Sequence, residues 1–204
     1  MAEQPELAFH NHVLRTLNRL SVPYMVIGAF AGSLYGITRV TFDVEIVVDL
    51  RESHVEALAA AYPPTRYYAD PRQMRDSIRY GILFNIIDAS AGRKVDFIPV
   101  TMPLGYAWLL QRRIRMAILL NQGITFDAWF ARPDDVLVTK LMAWKEGRSF
   151  KHEQDIRDIL VAVKLGEDTT LVGNFDIEYV TDWARRLGPD VFQSWLAMLE
   201  AIGL

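Results

Sequence analysis

No cysteine occurs among the 204 residues. Disulfides, thiolate metal sites and a cysteine nucleophile are therefore excluded, and a reducing compartment suits the chain. Also lacking is any apolar run long enough to cross a bilayer, and Met1-Ala2-Glu3-Gln4-Pro5-Glu6 has neither the basic region nor the apolar stretch of a secretory leader. A cytoplasmic protein with no membrane association is the expectation. Histidine is scarce: His10, His12, His54 and His152 are the only four, and none has the spacing of a metal-ligand set. Positive charge is not in excess either. The formal net charge of -3 argues against a chain built mainly to coat nucleic acid. Two local basic surfaces are candidates, Gln111-Arg112-Arg113-Ile114-Arg115 and the scattered Arg66, Arg72, Arg75 and Arg79. There is no low-complexity tract, internal repeat or linker-like segment.

What is present is enough apolar residue to bury a full core in one or two domains. Leu7, Val13, Leu14, Leu17 and Leu20 recur at helical spacing and predict an amphipathic helix over 6–20. A short buried strand follows at 24–27, then Gly28, a short helix over 30–35 closed by Gly36, and a second strand over 42–50. A helix over 52–61 stops at Pro63-Pro64. Residues 64–79 are polar and irregular and read as a surface excursion. Strands at 82–87 and 94–100 flank a hairpin-like connection, and 113–120 with 124–130 form a second hairpin around Asn121-Gln122-Gly123. From Pro133 the period becomes helical, with helices at 133–146, 152–165, 176–187 and 189–201. The expected architecture is an α+β fold: a mixed β-sheet core flanked by helices over 1–131, then a helical C-terminal part over 132–204.

The chemistry is concentrated in acidic residues on two of these strands. In Phe42-Asp43-Val44-Glu45-Ile46, period-two alternation projects Asp43 and Glu45 to one face, with Val44 and Ile46 on the other. Two carboxylates side by side in an apolar strand are costly unless a cation lies between them. Asp96, alone in the apolar run Lys94-Val95-Asp96-Phe97-Ile98, supplies a third if its strand pairs beside the first. Hard oxygen ligands of this kind select Mg2+ or Mn2+. Gly28, between a strand and a short helix, allows backbone N–H groups to point at a phosphate, and Ala29 can donate only through its backbone.

Gly28-Ala29, the run from Tyr35 to Glu45 and Lys94-Val95-Asp96 together resemble the signature of the polymerase-beta-like nucleotidyltransferase superfamily. That signature is a glycine followed by Gly or Ser, about ten residues, Asp-x-Asp or Asp-x-Glu, and a third acidic residue on a later strand. Further on, Lys140, Arg148, Lys151, Asp155 and Asp158 are similar to the Lys…Arg…Lys-Asp-x-x-Asp motif of AbiE-type toxin nucleotidyltransferases and their uncharacterised bacterial relatives. The resemblance implies an enzyme that transfers a nucleoside monophosphate from an NTP to an acceptor hydroxyl, on RNA such as tRNA, on a protein or on a small molecule. It implies that Asp43, Glu45 and Asp96 hold Mg2+ or Mn2+ and that Asp96 helps activate the acceptor. Gly28 and Ala29 would lie at the triphosphate, Lys140 at the phosphates or base, Asp155 or Asp158 would position Lys140 or the acceptor, and Arg39 would pair with the acidic site or contact substrate. Two positions depart from the pattern, Ala29 in place of Gly or Ser and Glu45 in place of the commoner Asp. The extra methylene of Glu45 moves the ligand oxygen by about 1.5 Å.

Other readings stand beside these. Ala29 motivates a catalytically diverged, nucleotide-binding member acting with an antitoxin or another regulator. An acidic triad also serves a metal-dependent nuclease. Asp43 and Glu45 could be the wet face of an edge strand, Asp96 could simply pair with Lys94, and Lys140 could snorkel. Asp155 and Asp158 could form local pairs with Lys151 or Arg157.

Overall fold

The computed structural model describes residues 5–41, 43–102, 106–120 and 124–204. In chain order its elements begin with α1 (Pro5–Arg19), β1 (Tyr24–Ile27), α2 (Gly28–Gly32), a 3-10 turn (Ser33–Tyr35), β2 (Val44–Val48), α3 (Glu52–Ala60), β3 (Tyr67–Tyr68) and α4 (Pro71–Tyr80). Next come β4 (Phe84–Asp88), β5 (Arg93–Pro99), α5 (Ala107–Arg112), β6 (Ile114–Leu119) and β7 (Thr125–Phe130). The helices α6 (Pro133–Gly147), α7 (Phe150–Leu165), α8 (Thr169–Asn174), α9 (Ile177–Leu187) and α10 (Pro189–Ile202) complete the chain. This is the expected α+β fold, a mixed seven-stranded sheet with flanking helices and a helical C-terminal part. No helix among the described residues is long and apolar enough to cross a membrane.

The chain builds two compact units. The first, Met1–Ile27 with Thr41–Ala131, contains the whole sheet, in the order β3-β4-β5-β2-β1-β7-β6. β2 runs parallel to β5 and antiparallel to β1, while β7 is parallel to β1 and antiparallel to β6. Every residue of β1 is buried, as is every residue of β2 except the half-buried Glu45. A near-continuous apolar run is what a strand covered on both faces requires. The outermost β6 instead alternates half-buried and exposed residues. α1 turns Phe9, Val13, Leu14 and Leu17 inward, and its Asn18 Nδ2 donates to the Asp127 carbonyl of β7 at 2.7 Å. Across β4 and β5 the register partners Phe84 and Phe97 stack at 4.7 Å between ring centroids.

Residues 64–79 differ from the sequence expectation. They contain β3 and α4, the latter started by Asp70, whose side chain accepts from Arg72 N at 2.8 Å, with Pro71 in the first turn. Met74, Ser77 and Ile78 form the inward face of α4 at helical spacing, but that face is too short to stand out among the charged residues around it. The short helices α5 and α8 are likewise unannounced by periodicity. The β4–β5 connection is a hairpin closed by Asp88. Its Oδ1 accepts from Ser90 N, Ser90 Oγ and Ala91 N, and its Oδ2 accepts from Arg66 at 2.6 and 3.1 Å. The turn expected at Asn121-Gln122-Gly123 lies outside the described residues.

The second unit is Gly28–Val40 with Arg132–Leu204. α6 packs against α2, α7, α8 and α9, and α10 packs against α7 and α9. Its core is Val136, Leu137, Leu141, Ile156, Ile159, Leu160, Val180, Val191 and Trp195, all fully buried. The Trp195 indole Nε1 donates to Thr181 Oγ1 at 2.9 Å, which satisfies its polar edge inside that core. Gly36 follows the 3-10 turn at φ +109, where a Cβ would also come within 2.7 Å of the Ala162 methyl and 3.2 Å of the Asp158 carbonyl. Conformation and close approach therefore both require glycine there.

Candidate functional site

In the first unit, the parallel pairing of β2 with β5 puts Glu45 opposite Asp96, and the antiparallel pairing of β5 with β4 puts Asn85 on the other side of Asp96. Register partners share a face of the sheet, so Glu45, Asp96 and Asn85 form one polar row across three strands. Asp43 is exposed and lies two residues before Glu45, with its carbonyl accepting from Thr41 Oγ1 at 3.2 Å. β2 is interior, between β5 and β1, so an edge-strand origin for these carboxylates is excluded.

Lys94, two residues before Asp96 on the same face of β5, sets its Nζ 2.8 Å from Asp96 Oδ2. The Asp96 hydrogen bond holds the Lys94 ammonium above the usual lysine range against the opposing effect of burial, and the charges of Asp96, Asp43 and Glu45 push it the same way. Lys94 thus feels all three carboxylates. Nearby, burial pushes His10 down to about 4, a shift that Arg93 reinforces and Asp43 opposes. His10 is neutral at pH 7 and offers Asp43 no counter-charge.

Among the described residues no three acidic or imidazole side chains are grouped closely enough to enclose a metal ion. A complete protein cage is not what Mg2+ demands, because it is commonly held by one or two carboxylates together with substrate phosphates. Asp96 Oδ1 is buried with no hydrogen-bond partner. A carboxylate oxygen left in that state is expensive, and a hard cation would satisfy it. The oxygen donors of the register neighbours Glu45 and Asp96 are of the kind Mg2+ and Mn2+ take.

In the second unit, Gly28 opens α2 at φ +70, a left-handed conformation natural to glycine, and the following Ala29 is buried. The other residues of interest meet at Asp155. Its carboxylate is fully buried and accepts a two-pronged grip from Arg39, with Nε to Oδ1 at 2.6 Å and Nη2 to Oδ2 at 2.9 Å, while Lys140 Nζ lies 2.6 Å from Oδ2. Burial drives the Asp155 carboxyl upward, but the hydrogen bonds and charges of Arg39 and Lys140 outweigh it and hold the group below its ordinary range. Lys140 is itself buried, so its ammonium is held by Asp155 and does not reach for solvent. Arg157 pairs with Glu153 instead of Asp155.

Asp158, one turn along α7, accepts from Thr38 N at 3.3 Å, Thr38 Oγ1 at 3.2 Å and Gln154 Nε2 at 2.7 Å. Asp155 and Asp158 thereby fasten the segment 38–39 to α7. His152 was not singled out from the sequence. Its Nδ1 is buried without a partner, and burial followed by the charges of Lys140 and Lys151 lowers its pKa. Arg148, part of the same sequence motif, stacks on Trp144 and pairs with Asp190.

No protein-family model matches the chain, and no curated protein matches it significantly. Solved structures do. An antigenic nucleotidyltransferase-like protein from Paracoccidioides brasiliensis aligns over 96% of this chain and 94% of its own, at 17% identity and a TM-score of 0.51. The antibiotic-resistance factor ANT(2'')-Ia aligns over 98% and 97%, at 13% identity and a TM-score of 0.49. JHP933 from Helicobacter pylori aligns over 100% and 98%, at 12% identity and a TM-score of 0.39. The first of these likenesses establishes a shared fold over nearly the whole of both chains.

Proposed function

We propose that this chain is a metal-dependent nucleotidyltransferase moving a nucleoside monophosphate from an NTP to an acceptor hydroxyl. The observation that carries the proposal is the register pair Glu45 and Asp96, with the buried, unpartnered Asp96 Oδ1 and with Asp43 two residues before Glu45. The fold shared with a nucleotidyltransferase-like protein supports it. Asp43, Glu45 and Asp96 are the residues that would hold Mg2+ or Mn2+. Such an ion neutralises phosphate charge and lowers the pKa of an attacking hydroxyl. The acceptor oxygen forms a bond to the α-phosphorus, the bond from that phosphorus to the bridging oxygen breaks, and pyrophosphate leaves with the electron pair. The hydroxyl proton passes to the Asp96 carboxylate.

The nucleotide-binding roles of Gly28, Ala29, Lys140, Asp155, Asp158 and Arg39 are part of the same proposal. So is a kinship with AbiE-type toxin nucleotidyltransferases, supported by the buried Lys140–Asp155 pair and the anchoring of Thr38 by Asp158. RNA, a protein or a small molecule would serve as acceptor, and an antitoxin would be the regulatory partner.

The test incubates wild type and Asp43→Ala with each radiolabelled NTP, Mg2+ and cell extract. Label should pass to an acceptor only with the wild type, and equal labelling by the two proteins would sink the proposal. A second reading, a catalytically diverged nucleotide-binding member, is favoured by the Lys94 ammonium on Asp96 and by Ala29. Its signature is a thermal shift with NTP and Mg2+ in the absence of any transfer.

A further inference from the structure

Most arginines in the two basic stretches prominent in the sequence are already engaged. Arg66 is held by Asp88, Arg72 by Asp70, Arg75 by Glu52 and Glu56, and Arg115 by Asp127, while Arg113 donates to the Leu110 carbonyl and covers Trp129. A guanidinium committed to a carboxylate has little left to offer another anion. Exposed arginines outside those stretches occur together on α1. Arg15 and Arg19 are exposed, and among the described residues neither forms an ion pair or a hydrogen bond. They are one helical turn apart, about 6 Å along the axis. With His12 and Thr16 they line a cleft of about 260 Å3. From Leu7 to Arg19 the helix contains no acidic residue.

The exposed His12 adjoins these charges and is backed by an aromatic cluster in which Tyr67 is half-buried and Tyr62 and Phe9 are buried. The exposed His12 ring lies 5.2 Å from the Tyr62 ring, edge-on, and 6.4 Å from the Tyr67 ring, nearly parallel. Tyr67 in turn stacks on Phe9 and carries the Arg66 guanidinium over its face at 5.0 Å. Unpaired cations tracking a backbone, beside rings on which bases stack, are the elements of a single-stranded nucleic-acid site. The cleft is smaller than the roughly 300–1,000 Å3 that enclose a whole small-molecule ligand. It suits a short section of a longer chain. An anionic membrane is a poorer fit, because Phe9, Val13, Leu14 and Leu17, the apolar face that would have to enter lipid, are buried in the core.

We propose that the His12–Arg15–Arg19 face of α1 binds single-stranded nucleic acid, with the two guanidinium groups on its phosphates and His12 against a base. The site shares no residue with the proposed transfer chemistry. Its test contains neither NTP nor Mg2+, so loss of either proposal leaves the other intact.

Fluorescence anisotropy with a fluorescein-labelled oligouridine of about 12 nucleotides measures affinity between about 50 and 200 mM salt. Arg15→Ala/Arg19→Ala should bind at least about tenfold more weakly, and the slope of log affinity against log salt should shrink by about 1.4, two contacts at about 0.7 each. Circular dichroism should be unchanged, since neither arginine has a partner to lose. His12→Ala, which leaves the charges in place, should weaken binding with little change in salt slope. Wild type that fails to bind the oligonucleotide, or a double variant with wild-type affinity and slope, overturns the proposal. Arginine-dependent binding to phosphatidylserine vesicles or to an acidic peptide, in place of the oligonucleotide, overturns it equally.

Discussion

Asp155→Asn should be among the most damaging single-atom changes in the second unit. The substitution keeps the shape of the side chain but removes the charge that Arg39 and Lys140 both contact within 3 Å. Arg39 is 30% exposed and can rehydrate, whereas Lys140, at 6%, is left as a buried ammonium with no anion. Breaking a buried pair from one side costs about 3–5 kcal/mol. The access of Arg39 to water argues for the lower end, about 3 kcal/mol. For a chain of this length that lowers Tm by about 6–12 °C. Lys140→Met leaves Asp155 gripped by Arg39 and should cost only about 1–2 kcal/mol. The double variant should then be more stable than the sum of the two losses predicts, by about 1–3 kcal/mol, because the stranded charge is gone. Thermal and urea unfolding followed by circular dichroism measure all three. Asp155 is held below its ordinary range when folded, so its contribution is present above the unfolded pKa and disappears as pH falls through the lower folded value. Asp155→Asn should lack that part of the acid limb. Strict additivity of the two substitutions, or a Tm for Asp155→Asn within about 1 °C of wild type, would refute the reasoning.

Two further outcomes are expected in the first unit. Asp88, pulled down to about 2 chiefly by its Arg66 hydrogen bond, contributes stability above about pH 4 that is lost as pH falls toward 2. Arg66 is half exposed, so Asp88→Ala should cost only about 1.5–2 kcal/mol at pH 7, the low end for hydrogen bonds to a charged group, and the cost should shrink as pH falls toward 2. A cost that persists undiminished in acid would show that the charge is not its source. Lys94→Met removes the ammonium from Asp96 and should tighten Mn2+ binding about tenfold in a calorimetric titration, since two cations then no longer compete for one carboxylate. Unchanged or weaker binding would mean that Lys94 and a metal do not share the site.

The strands carrying Glu45 and Asp96 were legible because β-branched apolar runs report a buried strand directly, whereas Asp43, expected on the second strand, lies just before β2. The pairing of β2 with β5, and thus the meeting of Glu45 with Asp96, could be posed from sequence only as a condition, and the register supplied it. α4 had two readable signals, the i, i+3, i+4 face of Met74, Ser77 and Ile78 and the start signal Asp70-Pro71, but its many charged residues read as a surface excursion. Lys140 and Asp155 were visible as motif members, but their mutual burial was not. Arg39 reaches Asp155 across 116 residues of sequence, and no local pattern encodes such a contact. The free arginines were missed for the opposite reason. Charge counting finds clusters, whereas only coordinates reveal which members of a cluster are already spoken for.

The excursion of Gly28–Val40 into the helical unit bears on how the protein is made. On the ribosome this stretch emerges before α6 and α7 exist. Gly36 must wait for Ala162, Thr38 for Asp158 and Arg39 for Asp155. The second unit therefore cannot mature until α7 has been synthesised. For the experimenter, a fragment beginning at residue 132 would carry Asp155 and Lys140 into solution without the arginine that completes their cluster, so its stability would not report that of the intact protein.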